Sequence, residues 1–490
     1  MLLAPAAATP AAPPVVNFGA DAAPGADLRR EMAAACDRAR ATGAVLRLPP
    51  IRFVMGETCS AARVHGTAGR TVVVLAPDFR ARGHGVGDGQ FAFENPSFAT
   101  RYVADPAAPR AADAVDYRDF AVEVRVDGAI SVLGLANVRS GSIARVDIRA
   151  PRVLAHATGL PWPRDALIDL YAAVRKVRIV DNVLENVTGA RIDPARPDHR
   201  FRPGGGSCIW VRNVSADGSV PDNVTQDITI SGNICRHYTT DEMLSVFGVR
   251  GVTRRVAIRG NCFLGLPNVQ GNPAAPPGGI FHNSGISVFA LNDGSGARLG
   301  AAAAVHDVDF TGNYVEDHAF LFSVVRFGNS ADAHNRSDAI RSSRNVIVGF
   351  RSDDAARGPD AAWRRAGSPG GAGVDPMRAS VLLRNIAAPG TPPDRVNTTT
   401  GDTVTTIGVG GKPVAIGIAG FTMVVAPIVR GRMLSGTGYV SAVRGGLIAI
   451  DRTPPRAVVG ADRSAVRAAT SSARTPAELR ANCRRLLPKP

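Results

Sequence analysis

Lysine is almost absent from this chain. Of its 57 basic residues only Lys176, Lys412 and Lys489 are lysines, and the other 54 are arginines. Paired cysteines are missing too: Cys36, Cys59, Cys208, Cys235, Cys262 and Cys483 are scattered singly with no CxxC. That spacing argues against a zinc site or a disulfide framework and leads us to expect lone buried thiols. Aromatic residues are only 6%. With no recognition-helix or zinc motif either, the chain does not read as a nucleic-acid binder. No Lys or Arg precedes Arg29, so the apolar start lacks the charged region of a signal peptide. The uncharged run 413–429 is broken by Gly417, Gly420 and Pro427 and falls short of the ~20 residues of a spanning helix. It reads as strands. No carboxylate cluster resembles a calcium cage, so neither metal nor cofactor is expected.

What is present is enough for a large core. The 490 residues are 45% hydrophobic and 20% charged, and 52 Gly with 35 Pro predict many turns. The formal charge of +15 would concentrate acidic polymers, because guanidinium pairs bidentately with carboxylate or sulfate. The codon bias of a GC-rich genome would write the same arginine excess.

A pattern of apolar, any, apolar, two further residues and asparagine recurs along the middle of the chain. It ends at Asn182, Asn233, Asn261, Asn313 and, one residue looser, Asn345, in steps of 51, 28, 52 and 32. These steps approximate one or two multiples of a unit in the mid-twenties, which predicts a solenoid whose coils each add one short strand to several parallel sheets. Asparagine suits a coil corner because it tolerates left-handed backbone angles and its amide bonds to the coil above. A second strand series, SCIWV, EMLSVF, SGISVF and AFLFSV, lies between the first. Alternation there predicts Leu244, Val246, Ile286 and Val288 inside, with Trp210, Asp241, Met243, Ser245, Phe247, Ser287 and Phe289 on one outward face. Outward aromatics beside a carboxylate offer stacking platforms for sugar rings, unless a loop such as 268–279 covers them.

At the N-terminus NFGAD, an amphipathic helix over about 26–41 and AVLRLPP predict a strand, a capping helix and a second strand. A helix across the first coil covers strand edges that would otherwise invite aggregation. This entry segment and the asparagine coils resemble the pectate-lyase-like superfamily over about residues 15–350. The resemblance implies an all-β, right-handed parallel β-helix, preceded by a tail over 1–14. A linker over 351–400 follows, then a small β-rich region over 401–490 that ends in a helix near 476–487.

Within that superfamily the strand series most resembles polygalacturonase-like glycoside hydrolases, which hold an acid pair at a strand entry. TTDEML places Asp241 and Glu242 there, HNSGISVF resembles the histidine coil through His282, and EDHAFLFSVVRF follows. The preceding coil carries no carboxylate and the Arg-Ile-Lys motif is missing, although Arg326 is near. Inverting hydrolysis needs an acid and a base about 6.5–9.5 Å apart. Strand parity sends Asp241 and Glu242 to opposite faces unless the turn intervenes. The expected roles are Asp241 as acid, Glu242 or Asp317 as base and His282 as auxiliary. Trp210, Phe247 and Phe289 form a sugar floor, with Arg212, His237, His318 and Arg326 around it. A lyase would instead use an arginine, histidine or tyrosine base at a uronate. A third alternative is a non-catalytic, tailspike-like or adhesin shaft that binds glycan and forms a homotrimer. In each case the partner is a polysaccharide and the place extracellular, cell-surface or virion-associated.

Overall fold

The structure is a computed structural model. It describes residues 12–80, 91–94, 114–126, 131–150, 166–186, 207–213, 224–237, 242–248, 251–265, 282–290, 303–317, 320–328, 335–352, 381–385, 397–409, 416–419, 423–425, 428–430 and 473–488. Every strand pairing among them is parallel, in one sheet of 21 strands and one of nine. The larger sheet is bent at a corner, so each coil has three faces. In one coil Val177–Val180 lies on the first face, Val183–Asn186 on the second and Ser207–Val211 on the third. The next repeats this with residues 228–231, Ile234–His237 and Leu244–Gly248. The chain is a right-handed parallel β-helix, the hand that parallel crossovers adopt.

The expected asparagines build the corner between the first two faces. Each Nδ2 donates to the Oδ1 of the next coil's residue: Asn182 to Asn233 (2.8 Å), Asn233 to Asn261, Asn261 to Asn313 and Asn313 to Asn345 (3.0 Å each). The column ends at Asp402, whose Oδ1 accepts from Asn345 Nδ2 at 2.9 Å. An aspartate fits there because a terminal member needs only to accept. The left-handed turn is made by the residue before each asparagine, not by the asparagine itself. Asp181, Gly232, Gly260, Gly312 and Arg344 occupy this position, Gly401 stands likewise before Asp402, and Asp119 and Arg145 make the same turn before Phe120 and Val146 in earlier coils, all with φ between 53° and 67°. Glycine is needed at Gly232 for space as well, since a Cβ there would sit 2.3 Å from Asp181 Oδ1.

The interior between the faces is aliphatic, with Ile179, Ile209, Ile230, Leu244, Val246, Ile258, Ile286 and Val288 fully buried in one cluster. Helix α1, Arg29–Thr42, adds Met32, Ala35, Cys36 and Ala39 to that cluster at the first coils, three residues later than its expected start. The boundary expected at residue 350 is crossed by the ladders. Val346–Ser352 pairs with Thr403–Val409, and the latter with Ile428–Arg430. The strands read over 401–430 therefore continue the same solenoid. Val381–Asn385 adds to the third face inside the expected linker. Ile416–Ala419, Met423–Val425 and Ile428–Arg430 form where the uncharged run was read as strands. No helix among the described residues is long and apolar enough to cross a membrane.

The expectation of lone thiols is overturned. Cys36–Cys59, Cys208–Cys235 and Cys262–Cys483 are disulfides, and no free cysteine remains. Stacked coils bring together residues about one coil apart, which CxxC logic does not detect. Helix α2, Pro476–Leu486, begins with a capping box between Thr475 and Glu478 and lies on the outside of the second face. Its Leu479, Cys483 and Leu486 pack on Val183, Ile234, Leu264, Tyr314 and Val346 as a second small core. Arg480 donates to Asp147 at 2.5 Å and Arg236 to the Ala473 carbonyl at 2.6 Å.

Candidate functional site

The third face carries the expected outward row. Because Ile168, Ile209, Leu244, Ile286 and Val325 point into the core, the residues that follow them face out. Register aligns Asp169, Trp210, Ser245, Ser287 and Arg326 across five coils. Phe247 and Phe289 align one pleat further along.

Strict alternation does not hold at the strand entry. Met243, expected outside, is fully buried in the core. Its carbonyl accepts from the amides of both Cys208 (3.1 Å) and Ile209 (3.2 Å), and the chain bends there before the strand begins at Leu244. The bend turns Glu242 outward, where parity alone would have put the residue next to Asp241 on the other face. The Glu242 carboxylate accepts from Ser287 Oγ at 3.0 Å and from Ser245 Oγ at 3.5 Å, and Arg326 lies 3.9 Å from it. Arg326 also donates to Ser287 Oγ at 3.4 Å. Its guanidinium stacks 4.6 Å above Phe289, which meets Phe247 edge-on at 4.7 Å. Burial pulls Arg326 below the usual arginine range, with Glu242 opposing. Its Nε is buried without a hydrogen-bond partner.

The aromatic floor is present but not open. Trp210 is 4% and Phe289 6% exposed, and Phe247 is partly exposed. Guanidinium groups occupy two of the ring faces. Arg212 lies 4.7 Å over Trp210 and 4.6 Å over Tyr171, and it grips Asp169 through Nε (3.0 Å) and Nη2 (2.5 Å). Arg212 is thereby a buried structural partner, not an open ligand for a sugar acid. Burial pushes the Asp169 carboxyl up, and Arg212 pulls against it. Sequence reasoning passed over Asp169 and Tyr171. The available signal was a lone aspartate at outward parity inside the apolar strand Ala166–Val174.

Asp317 does not join Glu242. It ends the second-face strand Tyr314–Asp317 and is fully buried. A Cβ on Gly285 would lie 2.7 Å from its Oδ2 and 3.0 Å from Met243 Cε, so this carboxylate lies on the Met243 side of the strand entry, away from the outward row. Its column reads Asn186, His237, Gly265, Asp317 and Gly349. His237 therefore stands at the corner between the second and third faces. His282 opens its strand opposite Phe320. The side chains of these two histidines, and Asp241 and His318 entirely, lie outside the described residues. Among the described residues no cluster of three metal-ligating side chains occurs.

No family model matches the chain, and no characterised protein matches it in sequence. Among solved structures it is similar to the surface protein and adhesin PfbA of Streptococcus pneumoniae, at 9% identity and TM-score 0.41 over 82% of this chain and 88% of that one. The polygalacturonase of Erwinia carotovora ssp. carotovora gives 9% identity and TM-score 0.39 over 91% and 99%. The tailspike protein of E. coli bacteriophage HK620, in complex with a hexasaccharide, gives 9% and 0.36 over 82% and 67%.

Proposed function

We propose that this chain binds and cleaves an acidic, uronate-containing polysaccharide on its third face, by hydrolysis. The observation that carries the reading is the Glu242 carboxylate. It faces outward, two serine hydroxyls hold it and a buried arginine stands beside it. A carboxylate fixed in direction by two hydroxyl donors is placed to take a proton from water, which fits a general base. Asp241, one residue upstream, is the proposed general acid. Phe247, at the open edge of the aromatic pair, is the proposed contact for a sugar ring. The three disulfides support maturation in an oxidising compartment and hence an extracellular or surface location.

One observation favours a second reading, β-elimination. Arg326 is buried, its Nε has no partner and desolvation lowers its proton affinity, as an arginine base requires. Glu242→Gln, assayed on polyuronates, tests the first reading through loss of reducing-end release. Arg326→Gln with loss of product absorbance tests the second. Binding without either product, by a trimer in light scattering, would fit the glycan-binding shaft.

A further inference from the structure

The arginine excess finds no outlet on the third face, where the described guanidiniums are buried. It is displayed instead on the first face and the two corners that border it. Exposed cations there include Arg118, Arg145, Lys176, Arg178, Arg255 and Arg259, with Arg341 and Arg344 further along. Register distributes them along the solenoid axis, interleaved with polar and acidic residues. Along one column, Asp116, Ser142, Arg178, Thr229, Ala257, Asp309 and Arg341 follow coil by coil. Coils repeat at about 4.8 Å.

In three ion pairs on this flank the aspartate is less exposed than its arginine, while Asp181 and Asp307 are themselves open to solvent. Arg145 grips Asp119 with two bonds (2.6 and 2.9 Å), yet its side chain is 50% exposed and the aspartate 23%. The Arg255–Asp227 pair is 44% and 32% exposed, and Arg259–Asp309 is 58% and 29%. Each pair thus presents its guanidinium to solvent with the carboxylate beneath. Lys176, Arg178 and Arg344 form no salt bridge among the described residues, although Lys176 lies within the field of Asp227.

We infer that this flank is a rack for a linear anionic polysaccharide lying along the solenoid axis, a binding surface separate from the third-face site. Exposed cations spread along the axis of one face and its corners suit carboxylate or sulfate groups repeating along an extended chain. Nucleic acid is the poorer fit. The outward positions of the described first-face strands carry no Phe, Tyr or Trp on which bases could stack, and among the described residues no helix or ribbon projects from this face to enter a duplex groove. The rack does not depend on the cleavage proposed for the other face.

The test neutralises these three cations together, as Lys176→Asn, Arg178→Gln and Arg344→Asn. Asparagine is chosen because Lys176 and Arg344 have φ of 51° and 53°, which it tolerates. Binding of a fluorescently labelled polyuronate to the full chain is measured by anisotropy across a sodium chloride series, with duplex DNA as the competing probe. The expected result is a loss of about tenfold in affinity at low salt and a shallower salt dependence. The melting temperature and the cleavage of a short oligomer, which read the fold and the other face, should be unchanged. Wild-type affinity and salt slope in the triple variant would overturn the inference. So would duplex DNA binding as tightly as the polyuronate and losing affinity in the same variant, since the surface would then belong to nucleic acid.

Discussion

Replacing Asn261 with alanine should be one of the most costly single changes in the solenoid. Its Oδ1 accepts from the Asn233 amide and from Asn233 Nδ2, both at 3.0 Å. Its Nδ2 donates to the Ile230 carbonyl at 2.9 Å and to Asn313 Oδ1 at 3.0 Å. All of these groups are buried, so water does not replace the lost bonds. At about 1 kcal/mol net per bond, with a further 1–3 for the orphaned Asn233 amide, the cost is about 5–7 kcal/mol. Asn182, at the start of the column, makes three such bonds, to Val146, Ile143 and Asn233. Asn182→Ala should therefore cost about 1 kcal/mol less. Urea unfolding followed by circular dichroism reads both values. Hydrogen exchange should show the Asn261 effect concentrated in the adjoining coils, since solenoid contacts run between neighbours. A loss below about 1 kcal/mol for Asn261→Ala would refute the claim that the asparagine column holds the corner.

The Cys262–Cys483 bond closes a sequence separation of 221 residues, for which chain entropy gives about 5 kcal/mol. Cys483→Ser should accordingly make α2 the first site of proteolytic attack while leaving the β signal intact. Burial raises the Asp402 carboxyl against four hydrogen bonds from Asn345, Ser342 and Thr399. A carboxyl raised on folding favours the fold below its unfolded value of 3.8 and loses that advantage as pH rises through the folded value. The melting temperature of the wild type should thus fall relative to that of Asp402→Asn as pH rises above about 4, although the variant loses the acceptor for Ser342 and Thr399 at every pH. Arg212→Ala should cost about 3–5 kcal/mol, because it strands the Asp169 charge in the interior. The double variant Asp169→Ala with Arg212→Ala should recover part of that loss in the same unfolding assay.

Much of the fold was legible because the corner repeats in sequence. The apolar pattern before Asn182, Asn233, Asn261, Asn313 and Asn345 registers the coils directly. Asp402 escaped notice because the last member of the column is a pure acceptor and so is not an asparagine. The continuation past residue 350 was hidden by strands with weak alternation and by a loop-like composition over 351–380. The disulfides were hidden because Cys208, Cys235 and Cys262 recur at 27-residue steps. Cys208 on the third face bonds Cys235 on the second, and Cys262 bonds Cys483 of α2, so the pairing appears only once the faces and the helix are in place. At the candidate site, Glu242 was legible by its neighbourhood, but its direction was not. That direction depends on the bend at Met243, set by two amides from the previous coil. The aromatic stripe was placed on the right face, yet its cover by Arg212 and Arg326 came from residues whose reach alternation does not report.

The claim at the centre of the account is that Glu242, on the third face, activates water to cleave an acidic polysaccharide. Wild type and Glu242→Gln should be compared on a panel of polyuronates, with reducing ends and near-ultraviolet absorbance followed together. Hydrolysis requires reducing ends to rise without the absorbance of an unsaturated uronate, and Glu242→Gln should lower that rate at least 100-fold with an unchanged melting temperature. Full activity in Glu242→Gln, or absorbance rising in step with the reducing ends, would contradict it.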